Sequence, residues 1–126
     1  MVLAVDSGAS ETVIEEETLP LVPVQESAGQ KRGVKYEVAN GEYLENKGEK
    51  TFTGETEEGI LKTVTAQVLN VNRNLLSVSK VVRNNCSVMF HPTGSYIEDL
   101  STGTKTWLKD EGGAYTLSLW VKNPTF

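Results

Sequence analysis

Glycine punctuation around short β-branched runs most constrains what this chain can fold into. Eleven glycines divide it into pieces mostly too short for a helix. Between them recur Val, Ile and Thr, whose stiff side chains suit a pleated strand. Val2–Val5 reads as a strand buried on both faces, too short and too β-branched for a helix. Thr12-Val13-Ile14 reads as the next strand. EEETLPLVPVQ contains Pro20 and Pro23, which lack the ladder donor, so it reads as an exposed loop or edge. Its acids Glu15 to Glu17 read as a solvated face. In GVKYEVANGEYLENKG, Val34, Tyr36 and Val38 alternate with polar residues. Asn40-Gly41 then supplies the two positive-φ positions of a type I′ hairpin turn. A second hairpin runs from Lys50-Thr51-Phe52-Thr53 to Ile60–Val71 across the charged tip GETEEG, and the two hairpins together predict an antiparallel meander. One short helix is predicted over about 78–85, with Ser77 as N-cap, Val78, Val81 and Val82 on one face, and Asn84-Asn85 as the stop. CSVMFH returns to strand. From Gly94 to Val121, three strand-like runs separated by STG and DEGG predict an additional C-terminal β meander. It carries Trp107, Tyr115 and Trp120, expected in a core or interface.

The length of 126 residues predicts one domain. Within it, 1–92 is expected to form the core and 93–126 a β extension packed on the same domain. Seventeen acids against 12 bases give a net charge of -5, which argues against a nucleic-acid surface. Apolar runs of about five residues, against the roughly 20 a spanning helix needs, argue against a membrane helix. No signal peptide is expected, since Met1 is followed at once by the Asp6 segment. A chain that opens so close to a functional-looking turn reads as an excised piece of a longer polypeptide. The single Cys86 rules out an intramolecular disulfide, suits a reducing compartment and reads as a small buried hydrophobe. His91, before Pro92, reads as a surface or structural residue. One His and one Cys do not make a zinc site, and no cofactor is expected.

The chemistry concentrates in VLAVDSGASET, where an apolar run ends on Asp6. The plain alternative is a turn that happens to hold an acid, and Asp-Ser-Gly alone is a weak signal. Its company is more specific. DSGASETVIEEETLP resembles the active-site segment of retroviral aspartic proteases, and NLLSVSKVVRNNCSVMF resembles their second signature, in the same order. VANGEYLENKGEKTF, AQVLNVNRNLLSVSKV and GSYIEDLSTGTKTW with GGAYTL look like the protease region of copia-type retrotransposon polyproteins. The resemblance spans nearly the whole chain. Metal-free peptide hydrolysis needs an acid and a base about one water, and two carboxylates sharing one proton provide both. Only one such triplet occurs here, and Asp99 and Asp110 lie in polar turn contexts. A second copy of the chain must therefore supply the second carboxylate.

The resemblance implies a mainly β, retropepsin-like acid protease half-barrel that works as a homodimer across a two-fold axis. Asp6 would be catalytic, Ser7 would hydrogen-bond across the dimer, and Gly8 would allow a tight turn and close substrate approach. Ala9 would keep the cleft floor small, and Ser10 and Glu11 would hold the peptide backbone. Val38, Ala39, Asn40 and Gly41 would belong to a flap that excludes water. Leu75 would line a pocket, with Leu76-Ser77 beneath Asp6. Three departures stand out. The flap has the single Gly41, Ser77 replaces the usual glycine, and Ser10 and Val78 stand where retroviral enzymes pair an Asp with an Arg. The dimer is therefore expected to be held differently, through Gly94–Phe126. The substrate would be the chain's own polyprotein, cut at extended, apolar-flanked sites at mildly acidic pH. The location would be intracellular, in the cytoplasm or in a virus-like particle of an active element. The competing reading is a catalytically silent, domesticated or monomeric fragment serving as a binding or dimerisation module, or a domain that sleeps until its polyprotein flanks are supplied. Strict monomer behaviour at high concentration would favour silence.

Overall fold

The computed structural model describes residues 1–37 and 41–122, and its fold is mainly β. The elements run β1 (Val2–Asp6), β2 (Val13–Glu15), α1 (Ala28–Lys31), β3 (Lys35–Glu37), β4 (Tyr43–Glu45), β5 (Glu49–Glu55) and β6 (Leu61–Leu69). They continue with β7 (Leu75–Ser77), α2 (Val78–Arg83), β8 (Cys86–Met89), β9 (Tyr96–Asp99), β10 (Lys105–Trp107), β11 (Lys109–Glu111), β12 (Ala114–Ser118) and β13 (Trp120–Val121). No helix among the described residues is long and apolar enough to cross a membrane.

Eight strands form one sheet in the order β11-β12-β1-β7-β2-β6-β5-β13, while β10-β9-β8 and β3-β4 form separate sheets. The crossing that matters is β7, inserted between the sequence neighbours β1 and β2. It runs parallel to β1, with Ala4 opposite Leu75 and Asp6 opposite Ser77, and antiparallel to β2. Residues 7–12 must therefore pass over the end of β7, while α2 leaves that same end. Chains that diverge from adjacent parallel strand ends leave a crevice there. The core beneath joins Leu3, Ile14, Phe52, Val68, Leu76 and Leu117 of the large sheet, and Leu119 between β12 and β13, to Ile97 of the three-stranded one. The alternating burial of β5 fits an antiparallel strand with one wet face.

Several expectations need correction. In β1, Leu3 and Ala4 are buried but Val2 is exposed, because β7 flanks the strand only from Ala4 onward. The two hairpins form no single meander. The β3–β4 pair stands apart, and the chain bends at Gly48 (φ 118°) before β5 takes up a bridge from Gln25. Among the described residues there are two short helices rather than one. The α2 helix stops at Arg83, with Asn84 as C-cap. The extra α1 is capped by Ser27, whose side chain accepts from Gln30 N. Residues 93–122 do not form one meander, since β9 and β10 belong to the three-stranded sheet while β11, β12 and β13 belong to the large one. The β12 strand fills the free flank of β1, and β13 extends the sheet beyond β5. Trp107 and Trp120 lie outside the core, 51% and 60% exposed, and Tyr115 packs against Phe90 at 5.0 Å.

The proline-bearing loop is held from below by Lys50, which is 2% exposed. Its Nζ donates to the carbonyls of Thr18 and Leu19 at 2.9 Å each, and Leu19 has the uncommon φ of 54°. Burial lowers the Lys50 pKa from the ordinary 10.5. The unfolded chain thus holds this proton more tightly than the folded one. Stability consequently rises with pH between the lowered value and 10.5, and is insensitive to this group below that interval. Lys50→Met is expected to cost about 2 kcal/mol at neutral pH, because two loop carbonyls lose a charged donor. The gap to wild type should widen as pH rises into the alkaline range. Urea unfolding across pH 7 to 10 checks this (roughly the interval set by lysine ionisation), and a gap that narrows would contradict it.

Candidate active site

Asp6 sits where β1 ends beside β7, half-buried. Its Oδ1 accepts from Gly8 N at 2.8 Å, closing a local Asx turn that fixes the carboxylate. A Cβ on Gly8 would come within 3.3 Å of that oxygen. Gly8 is absent from the positive-φ residues, so close approach rather than backbone freedom explains the glycine here.

The loop after Asp6 is clamped from underneath. Ser77 is fully buried. Its Oγ donates to Ala9 O at 2.7 Å and accepts from Lys80 N at 3.2 Å as the cap of α2. Its backbone N donates to Thr12 Oγ1 at 3.1 Å, and Thr12 O accepts from Gln67 N at 2.8 Å. A glycine at this position could not make the side-chain bonds, which gives the departure at Ser77 a physical role. Ser77→Ala is expected to cost about 2–3 kcal/mol, combining a lost N-cap with an orphaned loop carbonyl. A urea-unfolding loss below about 0.5 kcal/mol, the level of an ordinary surface substitution, would show that the clamp is idle.

A cleft of about 420 Å³ opens above this loop. Asp6, Gly8, Ala9, Ser10, Glu11 and Leu75 all line it, together with Tyr36 and Glu37 from β3. Six expected site residues are thus brought together under one arm of the expected flap hairpin. Ser7 is exposed, is not part of the lining, and makes no side-chain hydrogen bond among the described residues. Gly41 lies between β3 and β4 with φ 83° and is not among the residues lining the cleft. Val38, Ala39 and Asn40 lie outside the described residues.

The sequence pattern does not mark Tyr36 and Glu37 as site residues, although its period of two places Tyr36 on the hairpin. Nor does it mark the loop-to-helix ion pair. Ser10 and Val78 carry none, but Glu11 Oε1 and Lys80 Nζ meet at 3.3 Å, one residue further along the loop and two further along the helix. Partly exposed, this pair orients Glu11 more than it stabilises the fold. Among the described residues, no three His, Cys, Asp or Glu side chains gather as a metal site would need. Cys86 is half-buried, and burial raises its thiol pKa. His91 is exposed, its Nδ1 accepting from Thr93 N at 3.2 Å. Compared with protein-family models, curated proteins and solved structures, the chain matches none.

Proposed function

We propose that this chain is one half of a homodimeric, retropepsin-like aspartic endopeptidase of the copia type, acting on its own polyprotein. The observation that carries this reading is Asp6. Its carboxylate is held at the end of a parallel strand pair, in a cleft with a small-residue loop below and a hairpin arm above. The other acids lining that cleft are glutamates, Glu11 and Glu37, and Glu11 is already engaged by Lys80. The second carboxylate of the dyad is then Asp6 of a second copy. The unengaged, exposed Ser7 is free to hydrogen-bond across that two-fold axis.

In the dimer, one Asp6 carboxylate takes a proton from water, whose oxygen attacks the peptide carbonyl carbon. The protonated partner carboxyl gives its proton to the carbonyl oxygen. Collapse of the tetrahedral species breaks the C–N bond, and the amine leaves with a proton returned by the dyad. The hairpin would exclude water during this sequence. Leu75 and Val13 on the cleft wall suit apolar side chains beside the scissile bond.

The test is to incubate the purified chain with a library of extended peptides at mildly acidic pH while following its mass by sedimentation over a concentration series. The expected result is cleavage that rises with the dimer fraction. A strict monomer at high concentration, or cleavage unrelated to dimer content, would overturn the proposal.

A further inference from the structure

A second cleft, of about 480 Å³, adjoins the first and shares Ser10, Glu11 and Tyr36 with it. Its distinctive group is the Glu49 carboxylate, which has no cationic partner among the described residues. That carboxylate is aimed by a relay of buried amides. Gln67, 7% exposed, donates Nε2 to Glu49 Oε2 at 3.1 Å. Gln67 Oε1 accepts from Asn46 Nδ2 at 2.8 Å, and Asn46 Oδ1 accepts from Gly48 N at 2.8 Å. Turning either amide over would set donor against donor, so the relay has one orientation.

We propose that this second cleft receives a basic side chain, lysine or arginine, of the peptide lying across the Asp6 cleft. The proposal rests on reading the Asp6 site as a peptidase. Val34 and Tyr36 offer a wall for the aliphatic stem while the charged head reaches Glu49. The cleft also holds cations, and they do not reverse this assignment. Lys80 is committed to Glu11. Arg32 lies at the exposed end of α1 with no side-chain bond among the described residues, so using it would require ordering a long free side chain. Glu49 is ordered beforehand, and a preorganised group gives the better recognition.

The position in the substrate follows from chain reach. Glu11, which lines both clefts, lies five residue steps along the chain from Asp6, a span of at most about 18 Å at ~3.3–3.6 Å per residue. The second cleft therefore begins within about five extended substrate positions of the scissile bond. A two-fold dimer presents one such cleft on each side.

The experiment uses fluorescent peptides with an apolar pair at the centre. Lys, Gln or Glu is placed in turn at each of the flanking positions within reach. The wild-type chain is read by kcat/KM, and Asp6→Asn by binding anisotropy. The expected result is about a tenfold preference for Lys over Gln at one flanking position on each side, corresponding to roughly 1.4 kcal/mol. Glu49→Gln should abolish that preference. Equal rates for Lys and Gln at every position would overturn the proposal. So would a preference for Glu, which would make Arg32 the recogniser, or a Lys preference that survives Glu49→Gln. Cleavage without a basic preference removes the second cleft and leaves the peptidase. Glu49-dependent binding of basic peptides without cleavage does the reverse. The peptide series on wild type still decides if Glu49→Gln does not fold.

Discussion

Asp6→Asn is expected to lower peptide hydrolysis by roughly 10²–10⁴-fold, the range that loss of positioned acid–base catalysis spans, while leaving the fold intact. The asparagine Oδ1 can still accept from Gly8 N, the bond that closes the turn. The side chain is isosteric and half-buried, so unfolding free energy should move by less than about 0.5 kcal/mol. A sharper consequence follows from the two-fold geometry. If one active site needs two copies of Asp6, a mixed dimer is as inactive as the pure mutant. Mixing equal amounts of wild type and mutant, with time for subunits to exchange, should leave about one quarter of the dimers competent. Activity per total protein should fall with the square of the wild-type fraction. A linear fall would mean that a single chain carries a complete site. Glu37, the second acid of the cleft without a charged partner among the described residues, would then be the first candidate for the missing carboxylate. Persistent cleavage by the pure mutant would remove Asp6 from the chemistry altogether.

Local chemistry was legible and long-range pairing was not. The Asp6 turn, the Asn40-Gly41 hairpin arms and the capped α2 all announce themselves within a few residues, because turn and cap preferences are set by neighbouring atoms. The α1 helix was hidden by its own glycines, Gly29 within it and Gly33 after it, which read as loop punctuation. Its evident local support is the Ser27 cap. The insertion of β7 between β1 and β2 has no local signature, since Leu75-Leu76 would suit many strand partners. The destination of β12 is a similar case. An apolar strand near the chain end could equally form an appendage, and only the open flank of β1 decides otherwise. Glu11–Lys80 and the Asn46–Gln67–Glu49 relay escaped for the same reason. Each joins residues far apart in sequence that no local pattern links. The cleft around Asp6 could therefore be sketched from sequence, whereas the cleft beside it could not.

The largest effect on stability should come from Gly48→Ala, and two independent penalties act there. Gly48 has φ 118°, a conformation that residues with a Cβ rarely adopt, which costs about 1–3 kcal/mol. A Cβ would also stand 2.5 Å from Gln25 O and 2.6 Å from Val24 Cγ1. The first neighbour is backbone, and it is fixed by reciprocal Gln25–Glu49 hydrogen bonds of 2.8 Å. It cannot give way without breaking the bridge that seats the proline loop on β5. Forcing the displacement adds about 1–3 kcal/mol, for a combined loss of about 2–6 kcal/mol out of the 5–15 kcal/mol typical of a whole domain. For a domain of this size that lowers Tm by roughly 10–20 °C. Gly103→Ala separates the two causes. Gly103 has φ 73° but open space where a Cβ would go, so it should show the conformational cost alone, about 1 kcal/mol. If the two variants melt together, the close packing at Gly48 is not a constraint. If Gly48→Ala melts far lower, the bend between the hairpin and β5 is held by backbone contact. That same contact keeps Asn46 and Glu49 in position on either side of it.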